Sequence, residues 1–280
     1  MNLTKLKATK NDEGRTCFKY VIKVLDNVPV SRIEKLFRKK DIRVNDVRIS
    51  EKDYVIKEND RIWIYGLEDN FKAPDFVEPP ITFDKIFEDD NILVINKPIN
   101  IAVHGEPDCL DFQVLSYLEY KKVDSFKPSH IGRLDKSTSG IIIYAKNYST
   151  LVQMNEKTGE FEKYYVMKSD FPFEKQHFVF YSKYDKKTKR HKLSESLPGD
   201  KMETIFFTQG NKKYARIITG KKHQIRVTLQ HLGFPIKGDR RYGGDYGKRV
   251  FLHSNKLVFH KLEKELEYLN GTMFVSEAKW

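Results

Sequence analysis

The sequence predicts an α+β fold in two parts, a small N-terminal module of helices and a hairpin followed by a larger mixed domain. Three observations carry this expectation. The chain has 280 residues, enough for about two domains. Hydrophobic residues make up 39 % and aromatics 13 %, the profile of a globular chain. Helical and strand periodicities succeed one another along it, broken once by an acidic stretch that carries Pro74, Pro79 and Pro80.

Between Thr16 and Asn27, Phe18, Val21, Ile22 and Leu25 fall on one helical face, and Pro29 ends that element. Ser31-Arg32-Ile33-Glu34 has the form of a capping box. The helix after it would bury Ile33, Leu36 and Phe37 and place Arg32, Lys35 and Lys39 on another face. Arg43 to Ile49 alternates in polarity around Asn45-Asp46, which suits a tight hairpin. Asn59-Asp60 marks a turn before the strand Arg61-Ile62-Trp63-Ile64. These elements define a module at 15–66, a linker at 67–80 and a second domain at 81–280. In the second domain Ile92-Leu93-Val94-Ile95 reads as a buried strand leading into Lys97-Pro98. Phe112 to Tyr120 reads as a helix through Val114, Leu115 and Leu118. Ile141 to Ala145 reads as a buried strand, and Lys183 to Lys192 as a basic loop. No internal repeat is present.

The formal net charge is +12, which favours a polyanionic partner, nucleic acid or an acidic membrane surface. From Ser31 to Arg43 six Lys or Arg stand against two acids. Two cysteines, Cys17 and Cys109, cannot build a disulfide framework or a zinc site, so a reducing, cytoplasmic setting is expected. The first residues hold no apolar signal core, and no apolar run approaches the roughly 20 residues of a membrane span. A soluble protein without membrane attachment is therefore expected. Gly243, Gly247 and Lys248 have the wrong spacing for a phosphate loop.

The chemically pointed stretch is His130-Ile131-Gly132-Arg133-Leu134-Asp135-Lys136-Ser137-Thr138-Ser139-Gly140, directly before the apolar run 141–145. Its last residues would also make an ordinary turn. The whole string resembles the catalytic motif of the RluA-type pseudouridine synthases, Gly-Arg-Leu-Asp, two residues, then Thr-Ser-Gly. Further stretches match family elements in the same order. They are Lys97-Pro98, Lys163-Tyr164-Tyr165-Val166, and Thr219-Gly220-Lys221-Lys222-His223-Gln224-Ile225-Arg226-Val227. That last element runs on into Gly238-Asp239 and Tyr242-Gly243, and Leu252-His253-Ser254 resembles the family's terminal strand. Lys221 stands where Arg is usual and Thr228 where His is common. The matches extend from about residue 15 to 260.

The resemblance implies that Asp135 is the catalytic carboxylate, with Tyr165 and Arg226 beside it. It places Arg133, Leu134, Lys163, His223 and Gln224 around the substrate. With Ile131-Gly132 between His130 and Arg133, His130 reads as a hydrogen-bonded structural residue. Taken alone, Tyr165 is as well suited to a strand core. Arg226, alternating with Ile225 and Val227 as in a strand, would point either to solvent or into a cleft.

The basic helix, Arg43-Val44-Asn45 and the closing Asn-Asp turn resemble an S4-type RNA-binding domain. That resemblance implies RNA contacts by Arg32, Lys35, Lys39, Arg43 and Asn45 through phosphate neutralisation. Together the resemblances imply an S4-like domain followed by a catalytic domain on a mixed, mainly antiparallel β-sheet. The implied partner is RNA, 23S rRNA or a large-subunit assembly intermediate, bound by a monomer.

Uridine isomerisation breaks the bond from base nitrogen to ribose and remakes it through base carbon C5. Nothing is added or lost, so no metal or other cofactor is required. A carboxylate can attack the anomeric carbon, abstract a ribose 2′ proton, or shield developing positive charge. Each route needs Asp135 ionised in a closed pocket that penalises charge, and a cation such as Arg226 opposes that penalty. The target base must be flipped out of its stack, at a cost of a few kcal/mol. Arg133 is placed in sequence to fill the vacancy. Two other readings remain: a hydrolase with paired carboxylates, which requires a second acid in the cleft, and a non-catalytic RNA-binding assembly factor.

Overall fold

The computed structural model describes residues 3–67, 79–188, 190–196 and 198–280. Near the N-terminus, Thr16 accepts a hydrogen bond from the Lys19 amide and caps α1 (Cys17–Val24), which buries Cys17, Tyr20 and Val21. α2 (Val30–Arg38) buries Ile33, Leu36 and Phe37 as expected, but the capping box does not form. Pro29 is the N-cap, and its carbonyl accepts from the Arg32 and Ile33 amides. The helix therefore starts before Ser31, whose hydroxyl is left inside the first turn.

β2 (Ile42–Val44) and β3 (Val47–Ile49) form the expected hairpin. Asn45 and Asp46 have φ of 49° and 69°, the left-handed pair that a type I′ turn demands. β4 (Arg61–Tyr65) pairs with β2, and on its other edge with β1 (Leu3–Lys7), a strand outside the expected boundary at residue 15. The sheet order is β1-β4-β2-β3. The same compact unit takes in Tyr117–Pro128 and Asn147–Ser149, segments from within the expected catalytic span 81–280. Asp12 ties one of them down by accepting from the Ser125 amide at 2.9 Å, while Thr9 and Asn11 reach Asp124. Of the expected linker 67–80, residues 68–78 lie outside the described residues.

The second unit contains β5 (Asp84–Glu88), β6 (Ile92–Lys97), α3 (Leu110–Tyr117) as far as Ser116, β7 (Ser129–Ile131), β8 (Ser139–Ala145) and α4 (Tyr148–Lys157) from Thr150 on. It continues with β9 (Glu162–Met167), β10 (Lys175–Asp185), β11 (Arg190–Ser194), β12 (Asp200–Gln209) and β13 (Lys212–Ile217). α5 (Gln224–His231), β14 (Leu252–Val258) and β15 (Met273–Val275) complete it. The strands form one sheet in the order β11-β10-β12-β13-β9-β14-β8-β6-β5, with β15 added to β14 and β7 to β8. Its pairs are antiparallel except β8 with β14, so the sheet is mixed and mainly antiparallel.

All seven residues of β8 are buried, and Ile141, Ile143 and Ala145 share a core with Ile92 and Val94 of β6. Two expectations change here. The basic stretch 183–192 is a β-hairpin in which Asp185 opposes Arg190. Its lysines disguise a strand, but long charged side chains are what an exposed edge carries. Ile225-Arg226-Val227 belongs to the helix α5 and not to an alternating strand.

Candidate active site

β7 and β8 pair as a hairpin whose loop, Gly132 to Thr138, carries Asp135. The loop is pinned from both sides. The Thr138 amide donates to the Asp135 carbonyl, and the Asn100 amide to the Lys136 carbonyl at 2.8 Å. Lys97, at the end of β6, is fully buried and donates to the carbonyls of Pro98, Ile101 and Lys136. Burial pushes its ammonium down to about 7 against the pull of Asp135. Gly140 lets β8 run against β14, since a Cβ there would lie 2.3 Å from the Ser254 carbonyl oxygen. Ser254 in turn stands directly across from Tyr165 of the next strand, β9.

The loop and strand ends open into a cleft of about 850 Å³, a size suited to a small ligand. Asp135, Tyr165, His223 and Arg226 line it, with Arg133, Leu134, His130 and Gln224. Arg226 reaches in from α5 and is 6 % exposed. Its NH1 donates to Asp135 Oδ2 at 2.9 Å, while Nε and NH2 donate to both oxygens of Asp239 at 2.6 and 2.9 Å. Burial alone would lower the guanidinium pKa. The hydrogen bonds and charge of Asp239, joined by Asp135, more than offset that and hold it above its ordinary value.

His223, the N-cap of α5, sits at φ 57°, a left-handed backbone that a non-glycine residue holds only under constraint. The Nε2 atom is 3.6 Å from Asp135 Oδ1, and Nδ1 is 2.8 Å from the Tyr242 hydroxyl. Burial lowers the His223 pKa, opposed by Asp135, so the imidazole is neutral at pH 7. Burial and then Asp135 push the Tyr165 phenol up to about 12. It therefore faces the cleft as a hydrogen-bond donor and a ring for stacking, and is no phenolate base at neutral pH.

Other expected residues sit differently. The Gln224 amide faces protein, accepting from Thr219 and the Lys221 amide and donating to Glu203 and Thr204. Lys163 is absent from the cleft lining and donates to the Thr158 carbonyl just past α4. Arg133 is exposed and meets His104 at 3.3 Å. His130 pairs with Asp111 at 2.9 Å, and Tyr144 donates to the same carboxylate. Asp239 escaped the sequence reading, although Gly238-Asp239 lay in a matched stretch. Its signal is an acid buried to 1 % exposure, which needs a cationic partner.

In the N-terminal unit, Lys35 is exposed on α2 and Lys39 at its C-cap, while Arg32 donates to the Gly66 carbonyl. Asn45 joins the hairpin turn to β4 through Asp60 and the Arg61 amide. Arg43 lies over the Tyr65 ring.

Among the described residues that line the cleft, Asp135 is the only acid. A hydrolase with two carboxylates facing a glycosidic bond lacks its second group. What remains is a lone carboxylate held by one cation, beside a tyrosine, beneath a rim carrying Lys221, Lys222 and Arg241. That arrangement on a mainly antiparallel sheet has the charge and the ring to suit one nucleotide of an anionic chain.

The comparisons with known proteins agree. The model of the RNA pseudouridylate synthase family matches residues 91–231. An uncharacterized RNA pseudouridine synthase of Mycoplasma capricolum subsp. capricolum is 34 % identical, over 99 % of each chain. A ribosomal large subunit pseudouridine synthase C of Rickettsia bellii is 32 % identical, over 87 % of this chain and 89 % of that one. The solved structure of human RNA pseudouridylate synthase domain containing 1 shares the fold, with a TM-score of 0.54 at 20 % identity over 65 % of this chain and 80 % of that one. The chain belongs to the RluA-type RNA pseudouridine synthases, isomerases that convert uridine in RNA to pseudouridine. Among the described residues no helix is long and apolar enough to cross a membrane.

Proposed function

We propose that this synthase modifies a uridine of 23S ribosomal RNA, with the Asp135 carboxylate acting on a nucleotide flipped into the cleft. The observation that carries the role of Asp135 is the single donor from Arg226 to one of its oxygens. Its other oxygen lies 3.6 Å from Nε2 of neutral His223. An ionised carboxylate with one oxygen unclaimed by a cation is what attack on the anomeric carbon, proton abstraction or charge shielding requires. Tyr165 stacks on or donates to the detached uracil, Arg133 fills the place the base vacates, and Leu134 and His223 shape the pocket. The ribosomal target is supported by relatives named as large-subunit synthases. An S4-like N-terminal module fits a large structured substrate, with Lys35, Lys39 and Arg43 meeting phosphates. A cytoplasmic monomer completes the reading.

Asp135→Asn keeps size and removes the charge. Tritium release from C5-labelled RNA should fall by about 10⁴-fold or more, while RNA binding stays within a factor of about two. Turnover near the wild-type rate would exclude Asp135 as the acting group. For the substrate, pseudouridines are mapped in total RNA from a deletion strain. Loss of a 23S site is the expected result; loss from tRNA with every 23S site intact would reject the target and leave the reaction standing.

A further inference from the structure

The N-terminal sheet sorts its side chains sharply. Inward go Leu6, Ile42, Val44, Ile49, Ile62 and Ile64, which join the core under α1 and α2. Strand alternation sends Lys5, Lys7, Arg43, Arg48 and Arg61 to the opposite face, with Trp63 and Tyr65 among them. Lys5 stands directly across from Trp63, and Trp63 directly across from Arg43. The four strands contain no Asp or Glu.

Two features make this face costly for folding alone. Arg43 opposes Arg48, and Lys7 opposes Arg61, and like charges directly across a ladder destabilise it. Arg43 Nε is buried with no hydrogen-bond partner among the described residues. Among the described residues, the ion pair on this face, Arg61 with Asp46 at 3.0 Å, joins groups 59 % and 49 % exposed and is worth little. A polyanion laid across the strands would relieve the repulsion. Flat rings among the cations choose its kind. Lys5 lies 5.5 Å from the Trp63 ring centre and Arg43 5.0 Å from that of Tyr65. Aromatic rings with cations beside them are how a protein holds unpaired bases and their phosphates together.

We propose that the outer face of this four-stranded sheet binds a single-stranded stretch of RNA, bases stacking on Trp63 and Tyr65 and phosphates meeting Lys5, Lys7 and Arg48. This surface rests on the RNA substrate proposed above and is separate from the α2 lysines. A base arriving on either ring moves the overlying cation to a flanking phosphate.

The test uses the full-length chain. Lys5→Glu with Arg48→Glu is compared with Lys19→Glu plus Lys23→Glu on α1, an equal change in net charge at exposed helix positions. The sheet pair should weaken 23S rRNA binding about tenfold at physiological salt and raise KM in step. Its salt slope should shrink by about 1.4, two contacts at about 0.7 each. The α1 pair should leave the slope unchanged. The chain has 2 Trp, so Trp280→Phe isolates Trp63 fluorescence, and a decamer of oligoadenylate should quench it. Equal salt slopes for both pairs, or no quenching, overturns the proposal, as does loss of binding to anionic lipid vesicles with RNA affinity intact. Wild-type protein that makes no pseudouridine in 23S rRNA, yet shows the slope change and the quench, would refute the substrate assignment and leave the sheet surface standing.

Discussion

Arg226 divides its donors unequally, two to Asp239 and one to Asp135. That division keeps the guanidinium from closing over both oxygens of the Asp135 carboxylate. Arg226→Ala would therefore do more than remove a cation, because it leaves two carboxylates around one empty site, each disfavouring the charge of the other. The acid limb of the pH–rate profile should move to higher pH. The rate should fall about 10²-fold or more near pH 7 and recover partly by pH 9. A flat profile at the wild-type rate would show that the ion pair is idle. Asp239→Asn keeps the arginine but loosens its hold, and a drop of roughly 10- to 100-fold in kcat with unchanged RNA affinity is expected. Loss of affinity and kcat together would mark Asp239 as merely structural. Asp135, Tyr165, His223 and Arg226 could be read from the sequence because each sits in a short string of distinctive spacing. Asp239 could not: nothing local says which acid meets an arginine 13 positions away. Lys163 and Gln224 show the converse, being in the motifs while their polar groups serve the backbone.

The elements divide between those set by local rules and those set by pairing. Asn45-Asp46 made the hairpin legible because few residues accept two successive left-handed positions. β1 was illegible because its five residues gain their meaning only against β4. α5 misled because Ile225, Arg226 and Val227 are all buried, so alternation and helix pattern look alike over three residues. At the strand junction below the site, His253 of β14 bridges Ser139 of β8 and Ser276 after β15. Burial pushes its pKa down to about 4. The unfolded chain takes up that proton near 6.5, the folded one only near 4, so the unfolded state binds more protons between those values. Stability should therefore fall as pH drops through that window, by up to about 3 kcal/mol from this residue. Comparing urea midpoints at pH 7.5 and 5.0 checks it. His253→Asn should be less stable at pH 7.5 yet lose less on acidification; an equal loss in both proteins would place the pH sensitivity elsewhere.

At the scale of the whole molecule, composition and the proline stretch indicated two parts, and the chain does form two compact units. The division along the sequence was harder to see, because Tyr117–Pro128 belongs with the N-terminal sheet although more than 50 residues of the other unit precede or surround it in the chain order. Nothing in Lys121-Lys122-Val123-Asp124-Ser125 advertises that attachment. It is made by single groups, the Asp12 carboxylate on the Ser125 amide, Asn11 on Asp124, Lys122 on the Val24 carbonyl. Removing residues 1–66 would thus strip partners from a segment that stays in the truncated chain. It would leave the Ser125 amide without its acceptor and Asp124 Oδ2 without Thr9 and Asn11, and uncover Tyr148, over which the Arg15 guanidinium lies at 3.7 Å. Each lost buried hydrogen bond costs about 1 kcal/mol or more. The truncated protein should melt several degrees lower, with the Ser125 amide exchanging fast with solvent. Truncation is then a poor measure of RNA grip. Lys35→Glu with Lys39→Glu leaves every one of those bonds in place and should keep the melting temperature. If both lysines meet phosphate, the salt slope of rRNA binding should fall by about 1.4 to 1.8. A truncated chain that melts with the full-length protein and protects Ser125 equally would show that this segment holds its shape unaided.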